Sequence, residues 1–109
     1  AMVDLSTDFR DRYRVRYVWD KAKAAVNLRL HGVDFADAIP ALEDPNRIEE
    51  ADDRFDYGEE RDIVIGMSRG GVLFVVVTNR DERTKRIISA RKATKHEQNR
   101  YHAGDHEVW

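Results

Sequence analysis

Residues 61–79 read RDIVIGMSRGGVLFVVVTN, the most apolar segment of the chain and the centre of its predicted sheet. Two runs rich in Val and Ile, 61–68 and 72–79, flank Arg69-Gly70-Gly71 and predict two antiparallel strands joined by a tight hairpin. The second run is apolar at every position from Val72 to Val77, the pattern of a central strand covered on both faces. Towards the C-terminus, Asp81 to Arg83 supplies a turn and Lys85 to Ala90 a further strand. Thr94 with Glu97 three residues on is a capping box, opening a helix that runs to about Tyr101.

Towards the N-terminus, Tyr13 to Trp19 alternates large apolar residues with Arg, which predicts a strand with one wet face. Asp20 caps a helix starting at Lys21 and stopped by Gly32. Its apolar residues Ala22, Ala25, Val26 and Leu28 form one broad face, while Lys23, Asn27 and His31 form a polar stripe at intervals of four. Asp34 caps a second helix, Phe35 to Leu42, which ends before Pro45. The acidic stretch 44–60 reads as loop, with room for a short strand near Arg47 to Glu50. The expected order is β-α-α-β-β-β-α: an α+β fold with a small antiparallel sheet, N-terminal helices and a C-terminal helix.

Length and composition fit one domain. The chain has 109 residues, of which 41% are apolar and 37% charged, enough for one modest core. Residues 1–12 are expected to be a flexible leader, with Ala1 ahead of Met2 reading as a residue left by cloning; 13–102 form the domain and 103–109 a tail. The absence of cysteine excludes a disulfide framework and a thiolate nucleophile, and suits the cytoplasm. The longest apolar run, Val72 to Val77, is too short to span a membrane. The net charge of −2 conceals a polarity: acids dominate 34–62, and Arg and Lys dominate 80–100. A basic C-terminal third is a seat for a phosphate backbone, or a solvated surface.

Several separated fragments, in this order, resemble one family. They are Trp19-Asp20, Lys23, Asn27, His31-Gly32-Val33, Phe35, Asp44-Pro45, Asp56-Tyr57-Gly58-Glu59-Glu60-Arg61, Ile65-Gly66 and Arg86-Ile87-Ile88-Ser89-Ala90-Arg91-Lys92-Ala93-Thr94, continued by Glu97 and Tyr101. The pattern, spanning Tyr17 to Tyr101, is similar to that of the BrnT toxins. The resemblance implies a RelE-like ribonuclease fold, RNA cleavage that arrests translation, and neutralisation by a BrnA-type antitoxin that carries the DNA-binding module. DNA is then contacted only through the antitoxin, and no membrane or cofactor is involved. One position departs from the family pattern: Leu30 stands where a lysine is usual before the His-Gly pair. That departure supports an alternative, a catalytically weak or inactive protein-binding module.

A ribonuclease that uses the 2′-hydroxyl of its substrate needs a group titrating near neutrality, guanidiniums for the phosphate, and hydroxyl donors. His31 is the candidate acid or base, against a reading as a C-capping residue on the helix dipole. Arg61 either clamps the scissile phosphate or neutralises Glu59 and Glu60. Strand alternation puts Ser89 and Arg91 on one face and Arg86 on the other, so Ser89 and Arg91 complete the candidate catalytic set. Lys23, Asn27, Arg86 and Lys92 are candidate RNA-binding residues, Lys23 and Asn27 having a solvated helix face as the rival reading. Glu97 reads as the capping partner of Thr94, Tyr101 and Trp19 as packing residues. His96, His102 and His106 do not make a metal site, since Gly104 interrupts the helix that would align the last two.

Overall fold

The computed structural model describes residues 14–54, 56 and 58–104. The predicted leader, most of the tail, Tyr13, Tyr57 and His106 lie outside the described residues. The elements are β1 (Arg16–Val18), α1 (Lys21–His31), α2 (Phe35–Leu42), β2 (Ile48–Ala51), β3 (Asp62–Ser68), β4 (Gly71–Asp81), β5 (Thr84–Lys92) and α3 (Lys95–Ala103). Each helix starts on a polar cap. The Asp20 carboxylate accepts from the Lys23 amide, Asp34 from the Ala36 amide, and Thr94 and Glu97 close a reciprocal capping box. Gly32 ends α1 in the left-handed region, φ 70°, which its lack of a side chain permits.

The strands form one sheet in the order β1-β5-β4-β3-β2. β2 to β5 are an antiparallel meander, but β1 pairs with β5 in parallel, so the sheet is mixed rather than antiparallel. The short strand for which the acidic stretch has room is present as β2, lying opposite Asp62–Ile65 of β3, so four strands follow α2 instead of the three in the expected order. The first strand closes the far edge by a crossover: after β1 the chain passes through α1 and α2 to the other side of the sheet before the meander returns it to β5. Alternation within a three-residue strand carries no signal of its partner's direction.

Both faces of the sheet are covered, unequally. On one, α1 and α2 pack with Val64, Val75, Val77, Ile87 and Ala90 around Phe35, which is fully buried with Trp19 edge-on against it at 6.1 Å. α2 approaches β3 closely because Gly66 has no side chain: a Cβ there would lie 2.2 Å from the Ala41 carbonyl oxygen. The other face carries Ile63, Ile65, Phe74 and Val76, with Tyr101 of α3 packed over one end. There Asp44 is a buried anchor. Its carboxylate accepts from the Tyr101 hydroxyl and from the amides of Met67 and Asn46, joining the α2–β2 loop, β3 and α3.

A bulge in β5 sets the orientation of its polar residues. Val77 lies opposite Ile87 but Val76 lies opposite Ser89, so Ile88 is an extra residue in the strand. Arg86, opposite Thr78, therefore points to the same face as Ser89 and Arg91, opposite Val76 and Phe74. Strict alternation assigned Arg86 to the opposite face, and the bulge overturns that.

Two outcomes test these contacts. Gly66→Ala forces α2 away from β3 and is expected to cost about 1–3 kcal/mol in chemical denaturation. Burial pushes the Asp44 carboxyl up, but the bonds from Tyr101, Met67 and Asn46 and the charge of Arg47 outweigh it, leaving its pKa below the ordinary 3.8. Because the folded value is the lower one, the unfolded chain binds more protons between the two. This stabilisation is complete above about pH 4 and lost as pH falls through the folded pKa. Asp44→Asn should lower neutral-pH stability by about 1–3 kcal/mol and make the acid-side loss shallower in denaturation curves taken from pH 7 to pH 3.

Candidate active site

Transverse rows on the second sheet face define the candidate site. Continuing the register of β3, Arg61 falls in a row with Thr78 and Arg86; the next row is Ile63, Val76 and Ser89, and the next Ile65, Phe74 and Arg91. Rows two residues apart are roughly 7 Å apart along the strands, so Arg61 and Arg91, two rows and two strands from one another, start roughly 16 Å apart. Three of the four candidate catalytic residues thus share a face but form a strip, with Ser89 in the middle.

At one end of the strip, Glu59 bridges two guanidiniums. Its Oε2 accepts from Arg61 Nε at 3.0 Å, and Arg86 Nη2 straddles the carboxylate, 3.3 Å from Oε2 and 3.4 Å from Oε1. The bond from Arg61 is the largest influence on the Glu59 carboxyl. With the charges of Arg86 and Arg61 it holds the pKa below the ordinary 4.5, against the opposing effect of burial. Among the described residues the buried Nε of Arg86 has no partner, so they satisfy its guanidinium only in part. The Thr78 hydroxyl donates to the Glu60 carbonyl and ties the loop to β4.

At the other end Arg91 is engaged. Its guanidinium forks onto the Glu97 carboxylate at 2.8 and 3.0 Å, donates to the Lys92 carbonyl and stacks 3.8 Å above the Phe74 ring. Burial raises the Glu97 carboxyl, but the Arg91 and Thr94 bonds prevail and its pKa is lowered. Glu97 therefore does more than cap α3: it fastens Arg91. An anion binding to Arg91 has to displace it.

His31 reaches the strip from the side. It lines a groove of about 380 Å³ between α1 and β5 with Ala22, Lys23, Val26, Asn27, Leu30, Ile88 and Ser89. His31, Lys23 and Ser89 are thus brought together, whereas Arg61 and Arg91 do not line that groove. Lys92 lies opposite Leu73 on the helix-covered side, against a second groove with Gly32, Val33, Asp37 and Ser68, and so faces away from Arg91.

Asn27 departs most from expectation. It is the one buried residue of α1, 6% exposed, and its amide is consumed by backbone. Nδ2 donates to the carbonyls of Val33 and Ala90 while Oδ1 accepts from the Ala90 amide, so the side chain pairs with the β5 edge where β1 has ended. The polar stripe of α1 is therefore turned inward at its middle. The residues expected to form its apolar face point out: Ala22 and Ala25 are exposed, and Val26 and Leu28 are 43% and 47% exposed, with Leu30 beside them at 71%. Asn27 has no donor left for RNA, and the RNA-binding expectation is replaced by a structural role. Glu59 was missed as a site residue because in sequence it is one acid among many in 34–62.

Comparison with known proteins places this chain. The family model described as ribonuclease toxin, BrnT, of type II toxin-antitoxin system matches residues 19–97. The chain belongs to the BrnT family of ribonuclease toxins. Among solved structures, the Brucella abortus ribonuclease toxin BrnT is similar, with 24% identity and a TM-score of 0.55 over 74% of this chain and 99% of that one; it supports the fold. No curated protein gives a significant match. No helix among the described residues is long and apolar enough to cross a membrane.

Asn27→Ala removes three buried hydrogen bonds and leaves the Ala90 and Val33 backbone groups unpaired. It is expected to cost about 2–4 kcal/mol in thermal or chemical denaturation, whereas His31→Ala at the exposed helix end should cost under about 0.5 kcal/mol. An Asn27→Ala chain as stable as its parent would return Asn27 to the surface.

Proposed function

We propose that this chain is the toxin of a type II toxin–antitoxin pair and cleaves RNA endonucleolytically with no metal in the chemistry, arresting translation. It acts in the cytoplasm, on a RelE-like fold, until a BrnA-type antitoxin covers it. DNA is met only through that antitoxin. The observation that carries this reading is the side-by-side placement of Arg61, Arg86 and Ser89 on one sheet face, bordered by the His31 groove. Arg86, a quarter of whose side chain is exposed beside Arg61, is the anchor for the scissile phosphate. Ser89 donates to a phosphate oxygen, and His31, on the groove margin next to Ser89, protonates the leaving 5′-oxygen. Lys23 extends the cationic border. Arg91 positions α3 and the strip rather than holding phosphate.

A second reading, a protein-binding module of weak or no activity, is favoured by Leu30. Its 71% exposed side chain lines the groove where the family pattern has a lysine, so the surface beside His31 is apolar. An apolar groove suits an antitoxin side chain better than a phosphate.

Purified protein incubated with RNA in excess chelator distinguishes the two. Cleavage is expected to give 2′,3′-cyclic phosphate and 5′-hydroxyl ends, with Arg86→Ala and His31→Ala each slower by about 10²-fold or more. RNA left intact at high protein concentration, together with harmless overexpression of the folded chain, would favour the binding module.

A further inference from the structure

Resting on the nuclease reading above, we infer that Glu59 is the general base, taking the proton from the RNA 2′-hydroxyl beside the phosphate that Arg61 and Arg86 hold. Three features carry the assignment. Glu59 is oriented from two directions, by Arg61 from its own loop and by Arg86 across the sheet, which fixes the carboxylate on the proposed RNA-binding face. The bonds are unevenly shared: Arg86 Nη2 straddles both oxygens at 3.3 and 3.4 Å, but Arg61 binds Oε2 alone at 3.0 Å, so Oε1 keeps the greater lone-pair capacity for a proton. The carboxylate is also reachable, with 35% of its side chain exposed, unlike Glu97, whose side chain is 15% exposed and forked onto Arg91.

The alternative meaning of the same geometry is a latch, in which Glu59 merely occupies the place of a phosphate and RNA must expel it. The bonding favours the base. Among the described residues Arg86 gives the protein only Nη2, and that group reaches Glu59 at 3.3–3.4 Å. The guanidinium therefore has donor capacity for a phosphate without releasing the carboxylate. An arginine between two anions holds both in place and offsets their repulsion.

In the step itself, Glu59 Oε1 removes the proton from O2′ and the O2′–P bond forms. The P–O5′ bond breaks, and the leaving 5′-oxygen accepts a proton from the acid, for which His31 is the proposed donor. The products are a 2′,3′-cyclic phosphate and a 5′-alcohol. Glu59 then returns its proton to solvent, and the imidazole regains one.

The test is Glu59→Gln in the full chain. Cleavage is expected to fall about 10²–10⁴-fold, while binding of RNA whose 2′-positions carry methoxy groups becomes no weaker than in the parent. The acidic limb of the pH–rate profile should vanish with the carboxylate. Glu59→Asp, which keeps the carboxylate on a shorter arm, should recover part of the rate and restore that limb; it also serves as the readout if the Gln variant does not fold. Cleavage by Glu59→Gln within about threefold of the parent, or faster with tighter RNA binding, would overturn the base and leave the latch. A parent protein that leaves RNA intact would sink the nuclease reading and this inference with it, whereas an active parent with an equally active Gln variant removes only the role given to Glu59.

Discussion

The pairing of the Asn27 amide with the edge of β5 is the interaction on which the arrangement of this molecule turns. β1 pairs with β5 only as far as Arg86, so beyond that point the edge has backbone groups to satisfy. Asn27 satisfies the amide and carbonyl of Ala90 from the side, in the manner of a one-residue strand, and holds the Val33 carbonyl with its remaining donor. Unpaired, those buried groups would cost about 1–3 kcal/mol each, so α1 is fixed in rotation about its own axis by polar geometry rather than by apolar burial. Everything else about α1 follows from that rotation. Leu30 and Val26 are left outside, the groove forms between α1 and β5, and His31 comes to lie beside Ser89.

A second constraint works on charge. Along the chain, acids and bases are segregated, but the meander folds one segment onto the other. Glu59 meets Arg86, and Glu50 of β2 meets Arg100 of α3. The basic third is therefore partly neutralised by the acidic middle rather than standing as an open cationic patch. What stays available for an anion is local: the exposed part of the Arg86 guanidinium, and the cationic border of the α1 groove. Specific placement, rather than net field, has to do the work of binding on a chain whose formal charge is −2.

Several family motifs resolve into structural roles once the packing is visible. Asp44 is buried because three donors from separate elements need its carboxylate, and Gly66 is required because the Ala41 carbonyl occupies the space of a side chain. Thr94 and Glu97 form the capping box, and Glu97 in turn pins Arg91 above Phe74. Tyr101 donates to Asp44, a bond that, with burial, pushes its own hydroxyl up to about 12. These residues hold the strip in shape around Arg61, Arg86, Ser89 and Glu59, the groups of the proposed site.

Local chemistry was legible in the sequence. The caps at Asp20, Asp34 and Thr94, the Gly32 stop and the Arg69-Gly70-Gly71 hairpin act within a few residues, so their energies are written in adjacent side chains and the helices and central strands follow from them. The ordered motifs likewise pointed to the family that the match over residues 19–97 confirms. Three features belong to tertiary structure alone. The direction of β1 depends on a crossover between distant segments, and the facing of Arg86 on one extra residue, Ile88, that alternation cannot register. The inward turn of Asn27 depends on a strand edge 63 residues away in the chain. Each rests on how strands and helices pair across the sheet, and its free energy exists only once the sheet has formed.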